Sequence, residues 1–433
     1  MSYVTKNLEL KLFPDEIKIE QDYSATFADN MSLPIHKWYR YTAGFSAIWA
    51  NHLIRQEKAK GRKRVIDPFA GSGTVLLESE FENVESIGIE AHSYIYRIAK
   101  AKLAWNYPAD KFKESSLIFL RQAKKKIITQ TEFPKLIANC YPVDTIQKLE
   151  ALKQTWIEFE GEEEIKEFVW FIITAILRIT SPVGTAQWQY IQPNKTKAKV
   201  IDPFIAFETK VHDMFKDMKR LQNRIVNVAN AKIFNEDARE IKSIPEGWGD
   251  LVITSPPYAN NYDYADATRL EMTFWGDING WGDLQENVRK YLVRACTQHV
   301  SKLGDEIEEI LANPKLKPIH SELIEVYDTL KMERMKHGGK KNYHLMIAAY
   351  FQDLAQVFYS LRKVTSENCL MCFVIGDSAP YGIYVPVDKW LGELAVAAGF
   401  SNYNFEKLRD RNTKWKNRKH SVPLHEGRLW INS

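Results

Sequence analysis

The stretch Val65-Ile66-Asp67-Pro68-Phe69-Ala70-Gly71-Ser72-Gly73-Thr74 decides the fold class of this 433-residue chain. It begins with β-branched residues, which favour a buried strand, and turns through two glycines into an apolar run over residues 75–80 that suits a helix. A strand, a glycine turn and a helix in this order open a nucleotide-binding α/β unit. The glycines carry no side chain, so a ligand can approach the backbone of the turn closely.

The spacing of the glycines narrows the class of ligand. It is not Gly-x-Gly-x-x-Gly, and no Lys-Ser or Lys-Thr follows as in a phosphate-binding loop. A pyrophosphate is therefore disfavoured, while a nucleoside without phosphates, such as S-adenosylmethionine, remains open. Downstream, Ser86-Ile87-Gly88-Ile89-Glu90 indicates a second short buried strand that ends in a carboxylate. At about 20 residues past the glycine turn, that carboxylate can accept hydrogen bonds from both hydroxyls of a ribose.

A second informative segment is Asp250-Leu251-Val252-Ile253-Thr254-Ser255-Pro256-Pro257-Tyr258. Its apolar part predicts a buried strand, and the two prolines fix the backbone and leave rigid carbonyl acceptors at the strand's carboxyl end. The hydroxyl of Ser255 and a neighbouring carbonyl can accept the two hydrogens of an exocyclic amine. Tyr258 supplies an aromatic face on which a base can stack. The segment therefore predicts a site that holds a planar amino group.

Together the two segments resemble the amino-methyltransferases of DNA, which methylate an exocyclic nitrogen of cytosine or adenine with S-adenosylmethionine. Asp-Pro-Phe-Ala-Gly-Ser-Gly-Thr matches their cofactor motif, Glu90 occupies the place of their ribose-binding acid, and Ser-Pro-Pro-Tyr matches their catalytic tetrapeptide in its serine form. In that family the serine form usually accompanies the N4 amine of cytosine. Tetrapeptides that begin with Asp or Asn accompany N6 of adenine. The resemblance implies a cytosine-N4 methyltransferase, with adenine N6 as the alternative.

Weaker matches extend the resemblance to residues 30–110, 230–275 and 345–433. The run over 233–239 looks like the third strand, whose terminal acid, Asp237, meets the adenine ring of the cofactor. The run over 38–46 resembles the segment that closes the pocket around the methionine part. The catalytic residues that the resemblance implies are Ser255, Pro256, Pro257 and Tyr258. The implied cofactor-binding residues are Phe45, Asp67, Pro68, Phe69, Ala70, Gly71, Ser72, Gly73, Thr74, Glu90, Asp237 and Ala238; no metal is expected.

The chemistry that follows is a direct in-line transfer to a base flipped out of the duplex. Hydrogen bonds to Ser255 and to the carbonyl of Pro256 would pull the amine nitrogen toward tetrahedral geometry and expose its lone pair. Methylation of a cytosine carbon would instead require a nucleophilic cysteine, which typically follows a proline. None of the four cysteines does so: Cys140, Cys296, Cys369 and Cys372.

Composition adds a weaker prediction about partners and compartment. The net charge is only +4, but basic clusters over 124–126, 195–199, 331–341 and 414–420, together with twelve Trp and twenty Tyr, favour a surface that binds double-stranded DNA. Each cluster alone is more typical of a solvated face. Four cysteines form no disulfide framework and suit a reducing cytoplasm. The C-x-x-C spacing of Cys369 and Cys372 lies in an apolar run and is interpreted as core. We find no signal peptide and no apolar run of membrane-spanning length, so a cytoplasmic protein is expected.

The fold prediction is a Rossmann-like methyltransferase sheet with helices on both faces and largely helical inserts. We expect a cofactor-binding half over 1–110, a helical insert over 111–230, a catalytic half over 231–275, a second helical insert over 276–345, and closing strands over 346–433. Helical periodicity is clearest over 143–159 and 162–178.

Three features of this organisation bear on target recognition. The loop over 188–199, with Trp188 and Tyr190, is either a target-recognition surface or part of the insert's core. The run over 260–264 could line or gate the pocket for the flipped base. Residues 200–204 repeat the sequence Val-Ile-Asp-Pro-Phe without the glycine turn, and we interpret the repeat as coincidence.

The competing functions are an adenine-N6 methyltransferase of DNA, a more distant RNA guanine amino-methyltransferase, and a non-catalytic DNA-binding subunit. A cognate restriction endonuclease is a candidate partner. The order of the segments leaves open which insert reads DNA.

Overall fold

A computed structural model of the chain describes residues 27–42, 44–185, 191–197, 199–225, 227–301, 303–411 and 422–433. The strands are β1 (Arg64–Asp67), β2 (Glu85–Ile89), β3 (Val183–Thr185), β4 (Ile191–Thr196), β5 (Ala231–Phe234), β6 (Gly249–Thr254), β7 (Thr365–Gly376), β8 (Asn402–Arg411) and β9 (Leu424–Asn432). The helices are α1 (Ala47–Ala59), α2 (Thr74–Phe81), α3 (Ser93–Leu103), α4 (Ala109–Ala123), α5 (Lys135–Cys140), α6 (Val143–Ile157), α7 (Glu163–Thr180), α8 (Pro203–Gln222), α9 (Tyr264–Ala267), α10 (Arg269–Trp275), α11 (Trp281–Asn287), α12 (Ile307–Leu311), α13 (His320–Lys336), α14 (Tyr343–Val364) and α15 (Val387–Ala397).

The main sheet has seven strands in the order β5-β2-β1-β6-β7-β9-β8. The first five are parallel, and β9 runs antiparallel to both of its neighbours. The chain moves outward from β1 in one direction and from β6 in the other, so the strand order reverses between these two strands. In open α/β sheets, ligands bind at such a switch point, beyond the carboxyl ends of the strands. The topology therefore places the candidate site where β1 and β6 end.

Both faces of the sheet are covered by helices because alternate residues of a strand point to opposite faces. Ile66 and Val252 belong to the core that α14 and α15 share with one face of the sheet. Val65 and Leu251, one position earlier in each strand, pack with Trp49 of α1 on the other face. This arrangement confirms the predicted Rossmann-like α/β sheet.

The two inserts are largely helical, as predicted. The first contains α4 to α8 and the separate β3–β4 ribbon, and its helices α6 and α7 closely match the periodic runs seen in the sequence. Phe168 and Phe171 of α7 are buried in the same core as Trp38 and Ile98 of the cofactor half. The first insert therefore shares its core with the sheet region.

Three boundaries differ from those that the sequence predicts, which are a helix over about 207–229, a strand over 370–377 and a closing hairpin over 409–431. Helix α8 begins at Pro203 because the side chain of Asp202 caps it and proline suits the first helical position. Strand β7 is longer than the expected run over 370–377, and the closing hairpin begins at Asn402 because β8 pairs along almost the whole of β9. Cys369 and Cys372 are buried in the cores on opposite faces of the sheet, as predicted.

Parts of three predicted surfaces lie outside the described residues: residues 186–190 with Trp188 and Tyr190, residue 198, and residues 412–421 of the last basic cluster. Among the described helices, none is both long enough and apolar enough to span a membrane.

Candidate functional site

The two sequence segments are joined by a hydrogen bond at the carboxyl ends of β1 and β6. The hydroxyl of Thr254 donates to Oδ1 of Asp67 over 2.6 Å, and both side chains are almost completely buried. The same Oδ1 accepts from the backbone N–H of Phe69 over 3.1 Å. The bond exists because the strands are parallel neighbours in register, with Ile66 opposite Val252. Asp67 therefore fixes the glycine turn against the strand that carries the tetrapeptide.

A cleft of about 810 Å³, its open mouth included, lies at this edge of the sheet. It is lined by most of the predicted site residues: Phe45, Pro68, Phe69, Ala70, Gly71, Ser72, Thr74, Glu90, Asp237, Ala238, Ser255 and Pro257. The remaining predicted residues, Asp67, Gly73, Pro256 and Tyr258, are not among its lining residues. Residues from β1, β2, β5 and β6 thus converge on one cavity.

The glycine turn and Glu90 form one wall of the cleft. The N–H of Gly71 donates to one carboxylate oxygen of Glu90, and the N–H of His92 donates to the other, each over 2.8 Å. Gly71 has a φ of 52°, and a Cβ there would lie 3.0 Å from the ring of Tyr41. Gly73, with a φ of 82°, begins α2 and packs against Ala99. Both positions therefore require glycine, one of them because the backbone and a ring approach closely.

Burial raises the pKa of Glu90 to about 7, although the two backbone N–H donors favour its charged form. Burial likewise raises the pKa of Asp67 to about 7, against the hydrogen bond from Thr254. Perturbed carboxylates in a cleft are typical of functional sites, although structural networks also produce them. Here the two cases differ, since Glu90 faces the cleft and Asp67 lies behind its wall.

Asp237 also lines the cleft and follows β5, the strand adjacent to β2. It caps the short helix Ala238–Glu240 by accepting from the N–H of Arg239 over 2.9 Å, and it also pairs with the guanidinium of Arg239. Arg239 in turn contacts Asp353 of α14, 3.1 Å away. The carboxylate of Asp237 is therefore held in place by a cation behind it.

The tetrapeptide extends from β6 toward β7. Ser255 Oγ donates to the carbonyl of Val374 over 3.1 Å, so the hydroxyl hydrogen is engaged and its lone pairs remain for a donor in the cleft. Tyr258 is held beside Gly376, where a Cβ would come within 3.1 Å of its ring, and the guanidinium of Arg411 lies 5.3 Å from the ring centroid. Burial raises the pKa of Tyr258 well above its usual value, so the phenol stays neutral.

The residues of the cleft fit S-adenosylmethionine better than a phosphorylated nucleotide. Among the described lining residues, the acidic ones are Glu90 and Asp237, and none is a lysine or arginine. The lining histidine, His92, is neutral, because burial lowers its pKa to about 4. Carboxylates can accept hydrogen bonds from the hydroxyls of a nucleoside and attract a cationic sulfonium, and the two glycines of the turn allow the ligand to approach the backbone.

Within the described residues, one cluster offers three potential metal ligands: Asp377, Asp388 and His425. Nδ1 of His425 lies 2.6 Å from a carboxylate oxygen of Asp377, and Nε2 lies 3.9 Å from Asp388. These distances describe a histidine paired with two acids. We assign the cluster to polar contacts that join the end of β7, β9 and α15.

Some lining residues were not predicted as site residues. Tyr41, Gly44 and Tyr264 lie in runs that the sequence had marked for pocket closure or base entry, whereas Ala91 and His92 directly follow Glu90. Tyr291, Leu292 and Val293 come from the second insert and carry no local signal. They reach the cleft through the fold alone: the N–H of Asn261, just past the tetrapeptide, bonds to the carbonyl of Ala295 over 3.1 Å.

Comparison with known proteins supports the family that the two segments predicted. A family model described as a DNA methylase, N6_N4_Mtase, matches residues 17–101. The chain is 25% identical to the Type II methyltransferase M.AvaI of Nostoc sp., over 94% of this chain and 87% of that protein. It is 22% identical to M.BsoBI of Geobacillus stearothermophilus, over 89% of this chain and 82% of the relative. It is 21% identical to the Type II methyltransferase M.MvaI of Kocuria varians, over 86% of this chain and 82% of that protein.

A solved structure, the rRNA methyltransferase aviRa from Streptomyces viridochromogenes, aligns over 89% of this chain and 85% of that chain, with a TM-score of 0.29 and 10% identity. The fold is therefore assigned from the strand order of the sheet and not from this alignment.

Proposed function

We propose that the chain transfers a methyl group to N4 of cytosine in double-stranded DNA. The premise is that it is an amino-methyltransferase, which the matching family model and the relatives support. One observation carries the proposal: Ser255 and Pro257 line the same cleft as Gly71 and Glu90. A cofactor wall and an amine-accepting wall in one cavity are what a methyl transfer between two bound molecules requires.

The cofactor would be held by the wall that contains the glycine turn. Glu90 would accept hydrogen bonds from ribose hydroxyls, Asp237 would accept from the adenine, and Phe45 would close over the remainder. Bound S-adenosylmethionine supplies a methyl group that its sulfonium charge already activates. Because the lining residues are acidic or neutral, the site favours this cation over a phosphate-bearing ligand.

The amine would be held by the tetrapeptide. The hydrogen of Ser255 Oγ is directed to Val374, so the oxygen accepts one hydrogen of the amine, and the Pro256 carbonyl accepts the other. Two acceptors in this position draw the nitrogen out of conjugation with the ring and direct its lone pair to the methyl group. Tyr258 would stack on the flipped base. The serine at the first position supports cytosine N4 over adenine N6, since this form of the tetrapeptide usually accompanies cytosine in the family.

The relatives are Type II methyltransferases. We infer that this chain likewise belongs to a system with a restriction endonuclease of the same specificity. Such a methyltransferase would act on duplex DNA at a defined sequence and protect that sequence from cleavage.

The deciding experiment identifies the modified base. Purified protein is incubated with unmethylated genomic DNA and isotopically labelled S-adenosylmethionine, and the DNA is then digested to nucleosides and analysed by mass spectrometry. We expect N4-methyldeoxycytidine. Labelled N6-methyldeoxyadenosine would show that the target is adenine, and label in RNA alone would overturn a DNA function.

Variants of the tetrapeptide test the assigned roles. We expect Ser255→Ala to lower methyl transfer by about 100-fold or more, since it removes an acceptor of the amine, while cofactor binding by calorimetry is unchanged. Tyr258→Ala should lose transfer, and Tyr258→Phe, which keeps the ring, should retain most of it. Ser401→Ala, in the exposed turn before β8, is the control. Full activity of Ser255→Ala would remove the hydroxyl from the mechanism.

A further inference from the structure

The second insert ends in a basic segment, residues 331–341, which comprises the last turns of α13 and the loop before α14. Its cationic residues are Lys331, Arg334, Lys336, Lys340 and Lys341, against one acid, Glu333. The side chains of Met332 and Met335 are 65% and 71% exposed. The segment therefore presents a concentration of positive charge at the end of a helix.

The basic segment is attached to the loop that carries the tetrapeptide. The ring of His337 stacks on Tyr381, with centroids 4.3 Å apart and planes 3° from parallel. Tyr381 lies in the turn Pro380–Gly382 just past β7, and Tyr343 packs edge-on against it at 4.8 Å. The hydroxyl of Ser378, three residues before Tyr381, donates to the carbonyl of Ala259. Since Ala259 directly follows Tyr258, one short turn links the basic segment to the catalytic loop.

Several lysines of the first insert are held by carboxylates, whereas three lysines of the basic segment are not. In the first insert, Lys111 pairs with Glu162, Lys126 pairs with Glu158, Lys148 lies 2.8 Å from Asp144, and Lys219 lies 2.6 Å from Asp110. In the basic segment, Lys336 lies 2.8 Å from Glu333. Across the described part of the chain, no carboxylate lies within 4.0 Å of Lys331, Lys340 or Lys341. A lysine without a carboxylate partner is free to neutralise a phosphate, whereas a paired lysine must first give up its partner.

We propose that the basic segment is the surface on which the phosphate backbone of the target duplex lies, with Lys331, Lys340 and Lys341 as its phosphate contacts. The proposal rests on the proposed function and specifies where the second insert engages the substrate. Its position beside the tetrapeptide places those contacts next to the strand from which the target base is flipped.

The test compares two triple variants that change the charge equally. Lys331→Ala/Lys340→Ala/Lys341→Ala removes the proposed contacts, and Lys111→Ala/Lys148→Ala/Lys219→Ala removes three lysines of the first insert that pair with carboxylates. The probe is a fluorescent 30-base-pair duplex of mixed sequence, titrated at several salt concentrations. Each lost phosphate contact should reduce the slope of log K against log salt by about 0.9, so the first variant should lose about 2 to 3 units of slope and the second much less. Calorimetry should show unchanged binding of S-adenosylmethionine by both.

The outcomes separate this surface from the function itself. A salt slope that is unchanged in the first variant, or reduced equally in both, would overturn the surface while leaving a wild-type protein that binds and methylates DNA. A wild-type protein that neither binds nor methylates the duplex would overturn the proposed function, and this surface with it.

A second, independent observation concerns His92, which lines the cleft and is 2% exposed. Its Nε2 lies 3.0 Å from the hydroxyl of Thr268, and that hydroxyl donates to the carbonyl of Ala265 over 3.1 Å. In the neutral tautomer that carries its hydrogen on Nε2, Thr268 accepts from Nε2–H and Nδ1 is an acceptor. Among the described residues Nδ1 has no hydrogen-bond partner.

We infer that His92 is a positioning residue, whose Nδ1 accepts a hydrogen bond from a ribose hydroxyl of the bound nucleoside. Both oxygens of the neighbouring Glu90 already accept a backbone N–H, so a second acceptor beside them can share the two ribose hydroxyls. A buried polar atom without a partner in the protein requires an explanation, and because His92 lines the cleft a bound ligand can supply the partner.

Calorimetry with 5′-methylthioadenosine and its 2′-deoxy and 3′-deoxy analogues tests the inference. We expect His92→Phe to weaken binding of the parent nucleoside about tenfold and to weaken one deoxy analogue much less, because that analogue lacks the hydroxyl that His92 holds. His344→Phe is the matched control: His344 is also buried with an unpaired Nδ1, but it lies outside the cleft, beside Tyr327. Equal losses for all three nucleosides, or no loss, would overturn the assignment.

Discussion

The sequence Val-Ile-Asp-Pro-Phe occurs twice in this chain and adopts two structures. In the first copy, residues 65–69, the valine, isoleucine and aspartate end strand β1 and are fully buried. In the second copy, residues 200–204, Val200 is 43% exposed, and the aspartate and proline begin helix α8. Five identical residues therefore end a strand in one place and start a helix in another.

What the copies share is local. In each, the aspartate side chain accepts the backbone N–H two residues later: from Phe69 over 3.1 Å in the first copy and from Phe204 over 2.9 Å in the second. This is the turn that Asp-Pro favours by its own chemistry. What differs is the context, since Ala-Gly-Ser-Gly and the neighbouring strand β6 follow and flank only the first copy. The pentapeptide therefore specifies a turn, and its surroundings decide whether that turn forms part of a pocket.

The glycine turn should give the largest effect that separates the copies. We expect Gly71→Val to weaken binding of S-adenosylmethionine by about 100-fold or more, because a side chain there is strained at positive φ and meets Tyr41. Gly61→Val is the control, since Gly61 also has a positive φ, of 98°, but faces open space. Calorimetry measures the affinity of both variants for S-adenosylmethionine. Equal losses of affinity would contradict the assignment of Gly71 to the cofactor pocket.

The two aspartates should differ in their contribution to stability. Asp67→Ala removes an acceptor that joins β1 to Thr254 in the core, and we expect it to lower the free energy of unfolding by about 2–3 kcal/mol. Asp202→Ala removes a helix cap and a partly exposed pair with Lys148, with an expected loss of about 1 kcal/mol. Urea denaturation of the two variants measures the difference. A larger loss of unfolding free energy for Asp202→Ala would contradict the stabilising role given to the hydrogen bond between Asp67 and Thr254.

The buried acids of the first copy's pocket should make ligand affinity depend on pH. Since burial raises the pKa of Glu90 to about 7, its carboxylate is mostly protonated at pH 6 and mostly ionised at pH 8. Affinity for 5′-methylthioadenosine, which has no amino-acid part to titrate, should therefore be about tenfold weaker at pH 6 than at pH 8.

Two glutamine variants show which acid is responsible for that pH dependence. Glu90→Gln should bind weakly and with little pH dependence, whereas Glu80→Gln should keep the wild-type profile. Burial also raises the pKa of Glu80 to about 7, but its carboxylate contacts Trp105 and not the cleft. A flat profile in Glu80→Gln would contradict the role given to Glu90.

The smallest effect is expected from asparagine at Asp67. Both hydrogen bonds end on Oδ1, which asparagine retains, so Asp67→Asn should change the free energy of unfolding by less than about 1 kcal/mol at pH 5, where the wild-type carboxyl is also uncharged. The folded pKa of about 7 lies above the unfolded value, so the folded state binds the extra proton between pH 4 and 7. The wild type should therefore lose stability as pH rises through that window, and Asp67→Asn should remove part of this loss. Denaturation at pH 5 and pH 8 measures it.

Much of the site could be predicted because its parts are local. A glycine turn after a strand, a carboxylate at the end of the next strand and a rigid proline pair each follow from the chemistry of a few adjacent residues. Parallel neighbouring strands end at the same edge of a sheet, so Gly71, Glu90 and Ser255 were expected together, and all three line one cleft. Tyr291 to Val293 were missed because they reach the cleft from the second insert, with no pattern of their own.

The sequence by itself determined where strands occur along the chain, which turns end them, and which family the chain resembles. These features depend on backbone preferences and side-chain chemistry that act over a few residues. The tertiary structure alone decided that Asp67 supports the wall from behind and that the second insert closes the cleft. It also decided that burial raises the pKa of Glu90 to about 7, and that one Val-Ile-Asp-Pro-Phe contributes to the wall of a cleft while the other caps a helix. Burial, register and distant contacts determine these properties, and they exist only once the chain has packed.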